Sequence, residues 1–154
     1  GRKLDDDASI MIRLNNGAKG SLSISQVATG EENNFSVAIY GDKGALKWSQ
    51  ENPNYATFSQ VGEASQIMTR GGSIKVEGSE ASVRVPAGHP EGYLEAFAQI
   101  YSDAADVIQN KENKEELLKM LPNIDDGLHI MKFINATVDS SNNNSKWINL
   151  SEIN

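Results

Sequence analysis

The sequence predicts an α+β fold: a large, mostly antiparallel, open-faced sheet with two main helices packed on one face. Three features carry that expectation. Apolar residues alternate with period two along the earlier part of the chain, and Gly- and Asn-containing turns separate the alternating runs. From about Glu91 the apolar period lengthens to that of a helix. Strands followed by helices, rather than strands alternating with helices, point away from a parallel sheet.

The elements follow in order. "ASIMIRLNNGAKGSLSISQVATG" reads as a β-hairpin, with Ile10, Ile12 and Leu14 on one side and Asn15-Asn16-Gly17 supplying residues that tolerate positive φ at the turn. Leu22, Ile24 and Val27 lie in its return run. "NFSVAIYGDKGALKWSQ" repeats the device, with Phe35, Val37 and Ile39 alternating, "GDKG" as the turn, and Leu46 and Trp48 opening the return strand. "YATFSQVG" is a further short strand, and two weaker runs are centred on Ile67 and Val83.

The helical part begins near Glu91. Leu94, Phe97, Ala98, Tyr101, Ala105 and Ile108 form one apolar stripe on a helix to about Asn110. "KENKEE" is a solvated connector or short helical turn. Asp125-Asp126 suits the positive end of a second long helix, whose stripe is Leu128, Met131, Ile134 and Val138. "SSNNNS" ends it, and "KWINL" is expected as a last strand.

A chain of 154 residues is one domain by size. The net charge of −7 and the scattered Lys and Arg argue against nucleic acid as a partner. With no cysteine there can be no disulfide or thiolate metal site, which fits a reducing cytoplasm. No apolar stretch reaches the roughly 20 residues that cross a bilayer, so no membrane partner is expected. The opening "GRKLDDDASI" is neither a signal peptide nor an initiator methionine, and reads as if cut from a longer chain.

The search for catalytic motifs is mostly negative. Neither G-x-G-x-x-G after a strand nor G-x-x-x-x-G-K-[ST] occurs, and Gly41-Asp42-Lys43-Gly44 lies between strands, where it reads as a hairpin turn. There is no G-x-S-x-G elbow. Asp125 and His129 share a helix face, but two ligands do not make a metal site, and Asp125 reads as a cap. His89, in "PAGHPEGYLEAF", stands where a helix begins. Pro90 and Glu91 suit the first turn of that helix. A neutral imidazole there can exchange hydrogen bonds with a polyhydroxylated ligand; the competing reading is a polar residue in a turn.

"FSVAIYGDKGALKWSQENPN", then "AGHPEGYLEAF", then "IDDGLHIMKFINATVDSS" with "KWINL" resemble, in order, the second domain of the glucose–fructose oxidoreductase/inositol dehydrogenase (Gfo/Idh/MocA) family. The resemblance covers nearly the whole chain and is weakest from about Ala56 to Val85. It implies a parent enzyme that uses NAD or NADP to oxidise or reduce a sugar, cyclitol or related polyol. The substrate pocket is then shaped by this domain, and homo-oligomers form through its open sheet face. The family's glycine fingerprint, the lysine of its Glu-Lys-Pro motif and its Asp…His pair have no counterpart here. The Rossmann domain is therefore expected outside this chain, and the chain alone is expected to be inactive and to bind no coenzyme.

Carried over residue by residue, His89, Glu91 and Tyr93 stand at the "GHPEGY" positions and are expected near the substrate. Gln26, in "SISQVATG", falls on a strand whose polar position faces substrate in relatives. Trp48 and Asn54 match another recurrent stretch, with Trp48 read first as core packing; Tyr101, Met131 and Phe133 read as helix core. No residue is assigned to catalysis, coenzyme or metal. The alternatives are a non-catalytic scaffold that uses the open sheet face for dimer or hetero-complex formation, and a hydrolase using Glu91 with a second carboxylate.

Overall fold

The computed structural model describes residues 1, 3–72, 82–110, 112 and 114–153. In chain order its elements are β1 (Asp7–Arg13), β2 (Lys19–Ser25), β3 (Ser36–Tyr40), β4 (Gly44–Ser49), β5 (Tyr55–Gln60), β6 (Gln66–Thr69), α1 (Tyr93–Ile108), α2 (Lys114–Met120) and α3 (Ile124–Asn142). A 3₁₀ turn, Leu150–Glu152, closes the chain. The class is α+β with antiparallel strands and two long helices. The strands fall into two sheets, β1-β2 and β3-β4-β5-β6. Two compact units result, one of residues 1–31 with 122–154, the other of residues 32–121.

In the first unit β1 and β2 pair from Asp7↔Ser25 to Arg13↔Lys19. The turn is the one the Asn-Asn-Gly run predicts. Gly17, at φ +88°, donates to the Leu14 carbonyl at 2.9 Å, and the Asn16 side chain accepts from Ala18 N–H at 3.0 Å. Ile10 and Ile12 lie on the more covered face of β1, while Met11 points out. Asn123, rather than Asp125, caps α3: its Oδ1 accepts from the N–H groups of Asp125 and Asp126, and Asp126 returns the bond to Asn123 N–H at 2.8 Å. Asp125 is thus a first-turn acid and not the cap.

The expected closing strand is absent. Residues 146–149 form no strand, and Asn149 caps the 3₁₀ turn by accepting from Ser151 N–H at 3.2 Å. Such local side-chain bonds compete with ladder pairing. Trp147 instead lies under the Arg13 guanidinium, 4.0 Å from its ring centre.

In the second unit the four strands form an antiparallel meander. The register places Val37, Trp48, Ala56 and Met68 across from one another on one face, with Ile39, Leu46 and Phe58 beside them. Ala38, Lys47, Thr57 and Ile67 line the opposite face, and Lys47 Nζ sits 5.7 Å from the Tyr40 ring centre. One face is therefore mainly apolar, with Gln60 and Gln66 towards one end, and the other mixed. "GDKG" is a hairpin turn, closed by Gly41 N–H on the Gly44 carbonyl at 2.8 Å. The run around Ile67 is β6; Val83 lies in no strand, and residues 73–81 between them fall outside the described residues.

α1 starts two residues later than its spacing predicts, with Gly92 at the cap and Glu95 returning a bond to Gly92 N–H at 3.0 Å. Pro90 and Glu91 precede the helix, so it is Glu95 that stands in the first turn. The apolar stripes expected to face a core are open. Leu94, Tyr101 and Ile108 are 77, 72 and 84 % exposed, and Met131 is 54 % exposed, while Phe133 is half-buried. Leu117 and Ala136 are the buried apolar residues among those described. A stripe is buried only by a layer that faces it, and the start of α1 is joined to the sheet of its own unit by polar groups instead. No helix of the described residues is long and apolar enough to cross a membrane.

Candidate functional site

The polar junction at the start of α1 is assembled from three segments of the second unit. Asn54 comes from the turn between β4 and β5, Arg70 directly follows β6, and residues 86–92 lead into α1. The β4–β5 turn is braced by Trp48, whose indole N–H donates to the Pro53 carbonyl at 3.1 Å and whose ring meets Phe35 edge-on at 6.0 Å. Trp48 is half-buried, consistent with a packing role. Arg70 is anchored through its main chain, its N–H donating to the Asn54 carbonyl at 2.9 Å.

Glu91 is the buried charged residue of the described chain. Its carboxylate pairs with the Arg70 guanidinium and accepts the Arg84 N–H at 3.0 and 3.3 Å. Its main chain is held by Asn54: Glu91 N–H donates to Asn54 Oδ1 at 3.0 Å, and Asn54 Nδ2 donates to the Glu91 carbonyl at 2.9 Å. A buried carboxylate survives only when paired and hydrogen-bonded; here both conditions are met. Arg84 continues the network outward, with Nε and an Nη on Gln99 Oε1 at 3.0 and 2.9 Å, and Gln99 on Asp103 at 2.7 Å.

His89 is exposed at the rim of this junction. Gly88 adopts φ +87°, and His89 N–H donates to the Pro86 carbonyl at 3.2 Å, closing the turn. The ring Nδ1 lies 3.2 Å from that same carbonyl. A carbonyl only accepts, so Nδ1 is the donor in this bond, and in the tautomer that makes it Nε2 faces outward as an acceptor. Tyr93, the first residue of α1, is 68 % exposed and stacks on Phe97 at 4.8 Å between ring centres. The hydrogen bond from Gly92 N–H, more than any other influence, holds the Glu95 carboxyl below its ordinary value; the charges of Arg84 and Arg70 act the same way.

His89 and Glu91 thus belong to one junction, and Tyr93 follows it as the exposed first residue of α1. Gln26 belongs to the other unit, where it is exposed just past β2 and its N–H donates to the Asp6 carbonyl at 2.8 Å. Arg70 and Arg84 escape sequence reasoning. The only local sign of Arg70 is a cation between a strand and the Gly71-Gly72 pair, and such a residue is usually solvated. Asp125 and His129 gather no third ligand, and no group of three or more His, Asp or Glu among the described residues suits a metal.

Residues 1–150 match the sequence model of the oxidoreductase family, C-terminal alpha/beta domain. The chain is 32 % identical over 148 residues to YfiI, an uncharacterized oxidoreductase of Bacillus subtilis (strain 168), and covers 38 % of that protein's length. Its fold is similar to an oxidoreductase from Sinorhizobium meliloti, at TM-score 0.88 and 43 % identity, covering 97 % of this chain and 42 % of the other. It is similar also to an inositol dehydrogenase homolog from Azotobacter vinelandii, solved in complex with NADH and myo-inositol. That match has TM-score 0.85 and 28 % identity, covering 96 % of this chain and 40 % of the other.

Proposed function

Since the chain belongs to the Gfo/Idh/MocA oxidoreductase family as its C-terminal alpha/beta domain, we propose that it forms the substrate wall and assembly surface of an NAD- or NADP-dependent dehydrogenase. The substrate is a sugar, cyclitol or related polyol. The likeness in fold to a relative solved with NADH and myo-inositol carries this reading. The chain spans about two fifths of that relative, so the activity belongs to the longer protein.

At the rim of the junction, His89 Nε2 accepts a hydroxyl hydrogen of the polyol, and the exposed Tyr93 phenol at the start of α1 offers a further donor. Glu91 serves the same wall from behind, by holding the loop. The mixed sheet face bearing Tyr40, Lys47 and Thr57 is the surface through which copies assemble. The lack of cysteine favours a cytoplasmic setting.

The coenzyme cradle is another matter. A dinucleotide is held by a strand, a glycine-rich loop and a helix within a parallel βαβ unit, whereas every strand pair among the described residues is antiparallel. These residues do not fit that group, and no step through it is assigned to them.

The test is a panel of cyclitols and sugars offered to the full-length protein with NAD⁺ and with NADP⁺, wild type beside His89→Ala. Reduction of coenzyme by at least one polyol, with KM raised about tenfold or more in the variant for one lost hydrogen bond, is the expected result. Equal KM and kcat in the variant would remove His89 from the wall. Failure of every polyol would remove the substrate class.

A further inference from the structure

We propose that Arg70 is a positioning residue for the substrate wall, aiming His89 through its own main chain; this rests on the polyol-dehydrogenase reading above. Each guanidinium nitrogen of Arg70 faces a different residue. Nε donates to Asn54 Oδ1 at 2.9 Å, one Nη donates to the His89 carbonyl, and the other faces Glu91 Oε2. Three nitrogens thus serve three residues that lie 16, 19 and 21 positions away along the chain (70 − 54, 89 − 70, 91 − 70). Only a planar group with fixed donor directions can do this, because an ammonium is a point charge at the end of a flexible stem.

Asn54 completes the clasp. Its Oδ1 takes both Arg70 Nε and Glu91 N–H, and its Nδ2 returns to the Glu91 carbonyl. The backbone on either side of Pro90 is therefore held at the His89 carbonyl, the Glu91 N–H and the Glu91 carbonyl. With the carbonyl of His89 fixed by Arg70 and its ring Nδ1 fixed by Pro86, the direction of Nε2 follows. Arg70 itself is mostly buried, its side chain 17 % exposed, and its polar groups are spent on these partners, through which it acts.

The experiment uses the full-length protein and Arg70→Lys, which keeps the charge opposite Glu91 and removes the fork. Expected are unchanged NADH affinity and a polyol kcat/KM lowered about 10- to 100-fold, the size of a small misplacement of a contacting group. Amide hydrogen exchange should quicken selectively over residues 86–93. Because Arg70→Met can fail to fold by stranding the Glu91 carboxylate, the Arg70→Met/Glu91→Leu pair is measured beside it. It should recover thermal stability without recovering polyol kcat/KM. Arg70→Lys with wild-type kcat/KM, or full recovery of kcat/KM in the double variant, would overturn the assignment. If the wild-type protein turns over no polyol, the functional reading fails separately, and exchange decides Arg70. Selective quickening over 86–93 sustains the clasp, and unchanged or uniformly quickened exchange refutes it.

Discussion

Asn54 and Glu91, 37 residues apart in sequence, hold each other by a reciprocal pair of bonds between one side-chain amide and one main chain, at 2.9 and 3.0 Å. An amide that satisfies both a donor and an acceptor of a buried residue acts as a surrogate backbone partner. The loop before α1 thereby joins the sheet of its unit without pairing to any strand.

Replacing Asn54 with Ala is expected to strand the Glu91 N–H and carbonyl and to release one nitrogen of Arg70. Leaving partly buried groups unmet at about 1–3 kcal/mol each, with some relief from water, sets the expected loss at about 2–4 kcal/mol. Urea unfolding of the full-length protein measures it. A loss under about 0.5 kcal/mol, the range of an ordinary surface change, would mean the clasp contributes nothing.

Gly44 is expected to resist substitution. A Cβ there would meet the Ser59 carbonyl oxygen at 2.5 Å, across the β4–β5 ladder, and backbone cannot yield cheaply. Gly44→Ala should cost about 1–3 kcal/mol as an overpacked contact. Gly20→Ala, whose Cβ would have only Ile12 Cβ at 4.0 Å, is the control. Thermal shifts of equal size in the two variants would contradict the steric account.

Glu95 carries an acid-dependent contribution to the start of α1. Its carboxyl is lowered in the folded chain chiefly by the Gly92 N–H bond, so folding favours its ionised form. The resulting stabilisation is fully present above the ordinary glutamate range and is lost as pH falls through the lowered folded value. Carboxyl carbon NMR should show Glu95 titrating below an unstructured glutamate. Glu95→Gln should remove the loss of amide protection on acidification at the first turn of α1, measured against the intrinsic exchange rate at each pH. A Glu95 titration at or above the reference value would refute it.

How much of this was legible in the residues differs from element to element. Gly17 at φ +88° in the Asn-Asn-Gly turn and the closed "GDKG" turn follow from short-range conformational preferences. The long helices follow from apolar spacing. Their ends were less legible, because Asn123 outcompetes Asp125 for the cap and Gly92 displaces the start of α1 past Pro90. "KWINL" carries strand-like residues, yet Asn149 turns its chain locally and Trp147 meets Arg13.

For the site, the turn around His89 was readable as a polar loop opening a helix. The fate of the Glu91 carboxylate was not: its partners Arg70 and Arg84 sit where single cations are ordinarily solvated, and no periodicity links them to residue 91. By itself the sequence determined the antiparallel hairpins, the two long helices and the family, because each rests on local order or on stretches that recur in sequence. Only the tertiary structure decided that Asn54, Arg70 and Glu91 converge and that the stripes of α1 and α3 stay open. Convergence depends on directions and distances between segments far apart along the chain, and residue spacing carries no record of those.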